Sequence, residues 1–153
     1  MSQLTAIPVL EIALIHRFDQ PCLIASPTFE WWWNGRHFRL ASDTYTDGLS
    51  SPQFTHSLAE PYGWGLLAAV PHDAGYHDSI EECVNGQWVH VTLTKDECDR
   101  MFYDLLLVLA AGKAARVMQA MAFYEAVHLG GLEAFNQGRE RAAIRRAQKE
   151  GQS

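Results

Sequence analysis

The sequence predicts an α+β fold, and three observations predict it. Two Asn-Gly pairs, Asn34-Gly35 and Asn85-Gly86, each lie between short runs of apolar and aromatic residues. Both positions of a two-residue hairpin turn need positive φ, which Asn and Gly tolerate best. Helical periodicity sets in only after Tyr62, and Thr94-x-x-Glu97 has the form of a capping box ahead of a long apolar stripe.

The N-terminal part reads as β and loop, with residues 1–43 β-rich. Leu10 to Phe18 and Pro27 to Trp33 are apolar and aromatic, and Asn34-Gly35 joins Glu30-Trp31-Trp32-Trp33 to Arg36-His37-Phe38-Arg39-Leu40 in a β-hairpin. The three tryptophans either form a ligand platform or alternate between a core and a half-exposed sheet face. Residues 44–61 form a long loop rich in Gly, Ser, Thr and Pro, of the kind that is functional or disordered. Residues 62–131 are helical. The first helix either kinks at Pro71 or starts there, because proline lacks the N–H that a helix interior needs.

A short hairpin around Asn85-Gly86 is expected between helices, within Glu82 to Thr92. The capping box opens the next helix, which runs to about Ala110, with Cys98, Met101, Phe102, Leu105 and Leu109 on its apolar stripe. Asp99 falls on the flank of that stripe, beside Phe102 and Leu106, where a carboxylate is partly buried and needs a partner. Gly112 interrupts the chain. Lys113 to Leu129 forms a further helix with Val117, Met121, Tyr124 and His128 on one face, ended by Gly130-Gly131. Residues 1–131 thus form a single globular domain. Residues 132–153 carry Arg139, Arg141, Arg145, Arg146 and Lys149 and read as a charged C-terminal helix or tail, solvated or phosphate-binding.

Composition bounds the function. The chain has 153 residues, enough for one domain with a substantial core, and 48% hydrophobic with 20% charged residues is the balance of an ordinary globular protein. A net charge of −6 argues against nucleic acid as a partner. No run is long enough to be a transmembrane segment, and the N-terminus lacks the basic flank of a signal peptide. Cys22, Cys83 and Cys98 are odd in number and have no metal-ligand spacing, so a reducing compartment is expected. Host cytoplasm or a virion fits that reading.

The most informative stretch is Val70-Pro71-His72-Asp73-Ala74-Gly75-Tyr76. Neighbouring helical residues point about 100° apart, so His72 and Asp73 face different partners, while Tyr76 lies one turn after His72 on the same face. Three polar elements follow one another: Thr46-Asp47-Gly48 with Ser50-Ser51-Pro52, then His72-Asp73-x-x-Tyr76, then Asp99-x-x-Phe102-Tyr103-Asp104. This order resembles the bacterial secreted phospholipases A2, with Tyr124-Glu125-Ala126-Val127 matching a segment of their third helix. The whole chain is more similar still to a family of short uncharacterised phage and prophage proteins.

The resemblance implies a phospholipase A2-like three-helix core following the N-terminal β-hairpin region, with the Asn85-Gly86 hairpin as an insertion. It implies His72 as the catalytic base and Asp99 as the group that orients it, with Tyr76 and Tyr124 in supporting positions. It implies calcium bound by Asp73, Asp47 and the Gly48 carbonyl. Phospholipid or another ester is the implied substrate. The chemistry is coherent: a neutral imidazole deprotonates water near neutral pH, an acceptor on its second nitrogen fixes the tautomer, and a cation with 6–8 oxygen ligands polarises the carbonyl. The alternative is a non-enzymatic phage component, virion- or tail-associated or bound to a host protein, in which a His72–Asp99 hydrogen bond ties two helices and Asp47 caps the following one.

Overall fold

The computed structural model describes residues 13–17, 20–24, 29–41, 45–46 and 64–152. Seven strands and four helices are present among them: β1 (Ala13–Arg17), β2 (Gln20–Ile24), β3 (Glu30–Trp33), β4 (Arg36–Leu40), β5 (Tyr45–Thr46), α1 (Leu66–Tyr76), β6 (Ile80–Val84), β7 (Gln87–Val91), α2 (Lys95–Ala110), α3 (Ala114–Gly130) and α4 (Leu132–Glu150). The fold class is α+β.

The principal sheet is antiparallel, in the order β3-β4-β6-β7. Its two turns are the Asn-Gly pairs, with φ of 51° and 72° at Asn34 and Gly35 and 52° and 79° at Asn85 and Gly86. The Asn85-Gly86 hairpin lies between α1 and α2 in the chain and also joins the N-terminal strands. Leu40 pairs with Ile80, and Phe38 with Glu82, so β6 extends the N-terminal hairpin into one four-stranded sheet. A second sheet has the order β1-β2-β5, with Thr46 opposite Leu23. Tyr45 and Thr46, expected within the long loop, are therefore a strand.

Alternation along the strands sets the core. Trp31 and Trp33 are buried while Trp32 is half-buried on the opposite face, stacked on His37 at 3.7 Å, so the aromatic run alternates across the sheet. Phe29, Trp31, Phe38, Leu40 and Ile80 pack against Met101, Leu105 and Leu106 of α2 and Val70 and Ala74 of α1. Each buried indole N–H finds an acceptor: Trp31 Nε1 lies 3.2 Å from Met101 Sδ, and Trp33 Nε1 donates to Asp104 at 2.8 Å.

Pro71 sits inside α1 and neither begins nor ends it. On α2 the Thr94–Glu97 capping box is fully formed, with both reciprocal hydrogen bonds. The buried residues of α3 are Ala120, Phe123 and Val127, while Met121 is half exposed. Among the described residues four helices are present, and the charged C-terminal segment is a helix. The fourth, α4, covers the end of α1, with Phe135 edge-on to Tyr76 at 5.2 Å and Gly138 against the Tyr76 backbone.

Candidate functional site

Helices α1 and α2 run antiparallel in close contact, since Gly65 meets Leu106 at one end and Gly75 meets Cys98 at the other. A Cβ built on Gly75 would fall 2.6 Å from Cys98 Sγ. The glycine thus sets the helix spacing, and that spacing brings His72 to Asp99. Cys98 is a free thiol whose pKa burial pushes up to about 12, which makes it inert packing.

Asp99 is completely buried and is the centre of the cluster. Its Oδ1 lies 3.1 Å from His72 Nε2 and accepts the Tyr76 hydroxyl at 2.7 Å. Its Oδ2 accepts Lys95 Nζ at 2.6 Å, with His128 Nδ1 at 3.5 Å. Burial alone would raise its pKa, but hydrogen bonds from His72, Lys95 and Tyr76 outweigh that and hold the carboxyl at about 2. It is a permanent anion at neutral pH. The Tyr76 hydroxyl is pushed far above the phenolic range by burial and by its bond to Asp99, so it acts only as a donor.

His72 is 6% exposed and wedged between the Tyr76 and Phe102 rings at 4.2 and 4.8 Å. Its Nε2 is committed to Asp99. Its Nδ1 faces Asp73, 3.7 Å from Oδ1, an ion-pair distance longer than a hydrogen bond. Burial would lower the imidazole pKa, but Asp73 and Asp99 favour the protonated ring more strongly and hold it above the ordinary histidine value.

The expected site residues divide into three groups. His72, Asp73, Tyr76 and Asp99 converge. Asp47 and Gly48 lie outside the described residues. Strand β5 ends at Thr46 and packs beside α1, which brings the chain just before Asp47 to the helix of Asp73. Tyr124 does not join the cluster. It stacks on His128 at 5.3 Å, meets the Tyr103 ring at a tilt at 5.1 Å, and lines a cavity of about 500 Å³ with Trp33, Arg36 and Arg100.

For a calcium ion, the described residues offer one suitable donor at this point, the Asp73 carboxylate. No group of three or more metal-ligating side chains occurs among the described residues. The hard oxygen donor of Asp73 is of the right chemistry, and Asp47 with the Gly48 carbonyl would have to complete the shell.

Sequence reasoning missed Lys95. Besides Asp99 it bonds the carbonyls of Val127 at 3.0 Å and His128 at 2.9 Å, joining the C-terminal end of α3 to the buried carboxylate. The signal was present, since Lys95 and Asp99 are four residues apart on one helix face. A second buried carboxylate, Asp78, also went unread. It accepts Arg139 at 2.5 Å and Arg146 at 2.5 Å, with His90 at 3.4 Å. Burial would raise its pKa, but a hydrogen bond from Thr92 and the charges of Arg139, His90 and Arg146 lower it.

No helix among the described residues is long and apolar enough to cross a membrane. Comparisons with protein-family models, with curated proteins and with solved structures find no match for this chain.

Proposed function

We propose that this chain is a phage-encoded hydrolase-like protein of the phospholipase A2 type, with His72 as general base. The observation that carries the reading is the division of labour on the imidazole. Nε2 faces the buried Asp99 carboxylate at 3.1 Å, and Nδ1 faces Asp73. An anionic acceptor fixed by Tyr76 and Lys95 holds the proton on Nε2, which leaves the Nδ1 lone pair as the basic position. A water at Nδ1 passes its proton to the ring as its oxygen attacks an ester carbonyl. The imidazolium then returns that proton to the departing alkoxide. Calcium, when bound by Asp73 with Asp47 and the Gly48 carbonyl, supplies a Lewis acid for the carbonyl oxygen. Tyr76 orients Asp99 from the side opposite Lys95. The packing of α1 against α2 through Gly75 supports a phospholipase A2-like core, in which the β6–β7 hairpin is an insertion.

The test is release of fatty acid from phospholipid vesicles by purified protein, with and without a calcium chelator. His72→Gln is expected to cut the rate at least about 10²-fold, the lower end for loss of a general base, with little change of fold. Asp99→Asn should cost less, since the imidazole stays in place. Wild-type protein inert toward several phospholipids and simple esters, at millimolar calcium, would end this reading.

A second reading has its own observation: Lys95 ties Asp99 to the α3 carbonyls, so the cluster is also the junction of three helices. On that reading the chain is a non-enzymatic virion, tail-associated or host-binding protein. An inactive wild type whose melting temperature falls in both Lys95→Gln and His72→Gln would favour it.

A further inference from the structure

Helix α3 is apolar on two opposite sides. Ala120, Phe123 and Val127 form its buried side. At the 100° step of a helix, Met118, Met121, Ala122 and Leu129 fall in one line on the other side, with Glu125 among them. Met118 is 72% exposed and Leu129 83%, and Leu132, just after the turn into α4, is exposed as well. A helix that covers a core is ordinarily polar on its outer face. An exposed apolar stripe of this length marks a contact surface.

We propose that the stripe is the interface of a two-fold symmetric dimer, in which α3 packs antiparallel against α3 of a second copy of this chain. Side-chain size fits that occupant. A pairing centred between Met121 and Ala122 sets Met121 opposite Ala122 and Leu129 opposite Ala114, so each long side chain meets a short one. Charge fits it too. Lys113 and Glu125 are both exposed and have no ion-pair partner among the described residues. They stand about 18 Å apart along one helix, too far to pair within a copy. The antiparallel pairing brings Lys113 of one copy level with Glu125 of the other to within about 8 Å, a gap the two side chains can span, and symmetry does so twice. A parallel pairing would instead set Glu125 against Glu125 and align the two helix dipoles. A lipid surface matches less well, because interfacial helices carry Lys and Arg beside the apolar face, and here Glu125 lies within it in a chain of net charge −6. One helix face is a small contact, below about 1,200 Å² in total, so the dimer is a weak, micromolar one. The Asp99 cluster lies on the core side of α3 and is left intact.

The test is sedimentation equilibrium of the full chain from micromolar to millimolar concentration, with sedimentation against phosphatidylglycerol vesicles in parallel. The mass is expected to rise from one copy and saturate at two. The double variant Met118→Lys/Leu129→Lys should weaken association at least tenfold while melting as wild type, because both side chains are exposed. Ile144→Lys, at an exposed apolar residue of α4, should associate as wild type. Glu125→Lys should weaken the dimer by facing Lys113 with a like charge, and Lys113→Glu added to it should restore the affinity. A single-copy mass at every concentration overturns the proposal. So does growth past two copies, undiminished association in the double variant, or no restoration by Lys113→Glu. Vesicle binding that the Met118/Leu129 double variant abolishes assigns the stripe to lipid and overturns it as well.

Discussion

At the scale of single residues, His72 and Asp99 have opposite pH signatures. The folded-state pKa of His72 is raised, so the stability its protonated form contributes is fully present below the unfolded value, about 6.5, and is lost as pH rises through the folded value. NMR of the imidazole in calcium-free buffer should show His72 titrating above about 6.5. Asp73→Asn removes a charge that favours the protonated ring and should lower that midpoint. A midpoint unchanged in the variant would show that Asp73 does not act on the ring. Asp99 is the reverse case. Its folded pKa, about 2, lies below the unfolded value, so its contribution is present above about pH 4 and is lost as pH falls toward 2. The contribution is on the order of 2 kcal/mol. Asp99→Asn should therefore flatten the acid limb of a stability–pH curve measured by denaturant unfolding between pH 4 and 2.

At the scale of elements, the contact between α1 and α2 depends on the absence of one side chain. Gly75→Ala would drive a methyl into Cys98 Sγ, and overpacking of a core of this kind costs about 1–3 kcal/mol. Cys98→Ala removes the obstructing sulfur, so the double variant should recover part of the loss, giving a favourable coupling in a double-mutant cycle. Strict additivity would mean that the two residues do not set the helix spacing. The same cycle bears on the site, since a forced separation of α1 from α2 lengthens the His72–Asp99 bond. Gly138 has the corresponding place between α4 and α1, where a Cβ would meet the Tyr76 carbonyl.

At the scale of the whole molecule, Asp78 joins elements that are distant in sequence. It follows α1, accepts two arginines from α4 and lies beside His90 of β7, while Arg139 also donates to the Leu93 carbonyl just before α2. Asp78→Ala would leave two guanidiniums without their carboxylate and is expected to cost about 3 kcal/mol or more. Its φ of 55° adds to that, because Asp and Asn tolerate the left-handed region better than Ala. Asp78→Asn keeps the backbone preference and an acceptor oxygen, so it should melt higher than Asp78→Ala. Equal melting of both variants would assign the effect to charge alone.

The sequence by itself determined what depends on local chain chemistry. Asn34-Gly35 and Asn85-Gly86 turn where only residues tolerant of positive φ can, and Thr94 with Glu97 caps α2 through bonds that span three residues. The alternation of Trp31, Trp32 and Trp33 follows from the two-residue period of a strand. The pairing of His72 with Asp99, 27 residues apart, was expected from a resemblance of motifs rather than from spacing. Only the tertiary structure decided which neighbours the buried charges would find. Lys95 reaches carbonyls more than thirty residues away, Arg139 crosses 61 residues to Asp78, and β6 pairs with β4 as well as with β7. It also buried the Ala120–Phe123–Val127 face of α3, and left Tyr124 outside the Asp99 cluster. The physical reason is common to all of these. Turn and cap energies are settled within a few residues, whereas the partner of a buried charge and the buried face of a helix are settled by whatever the packed chain places against them.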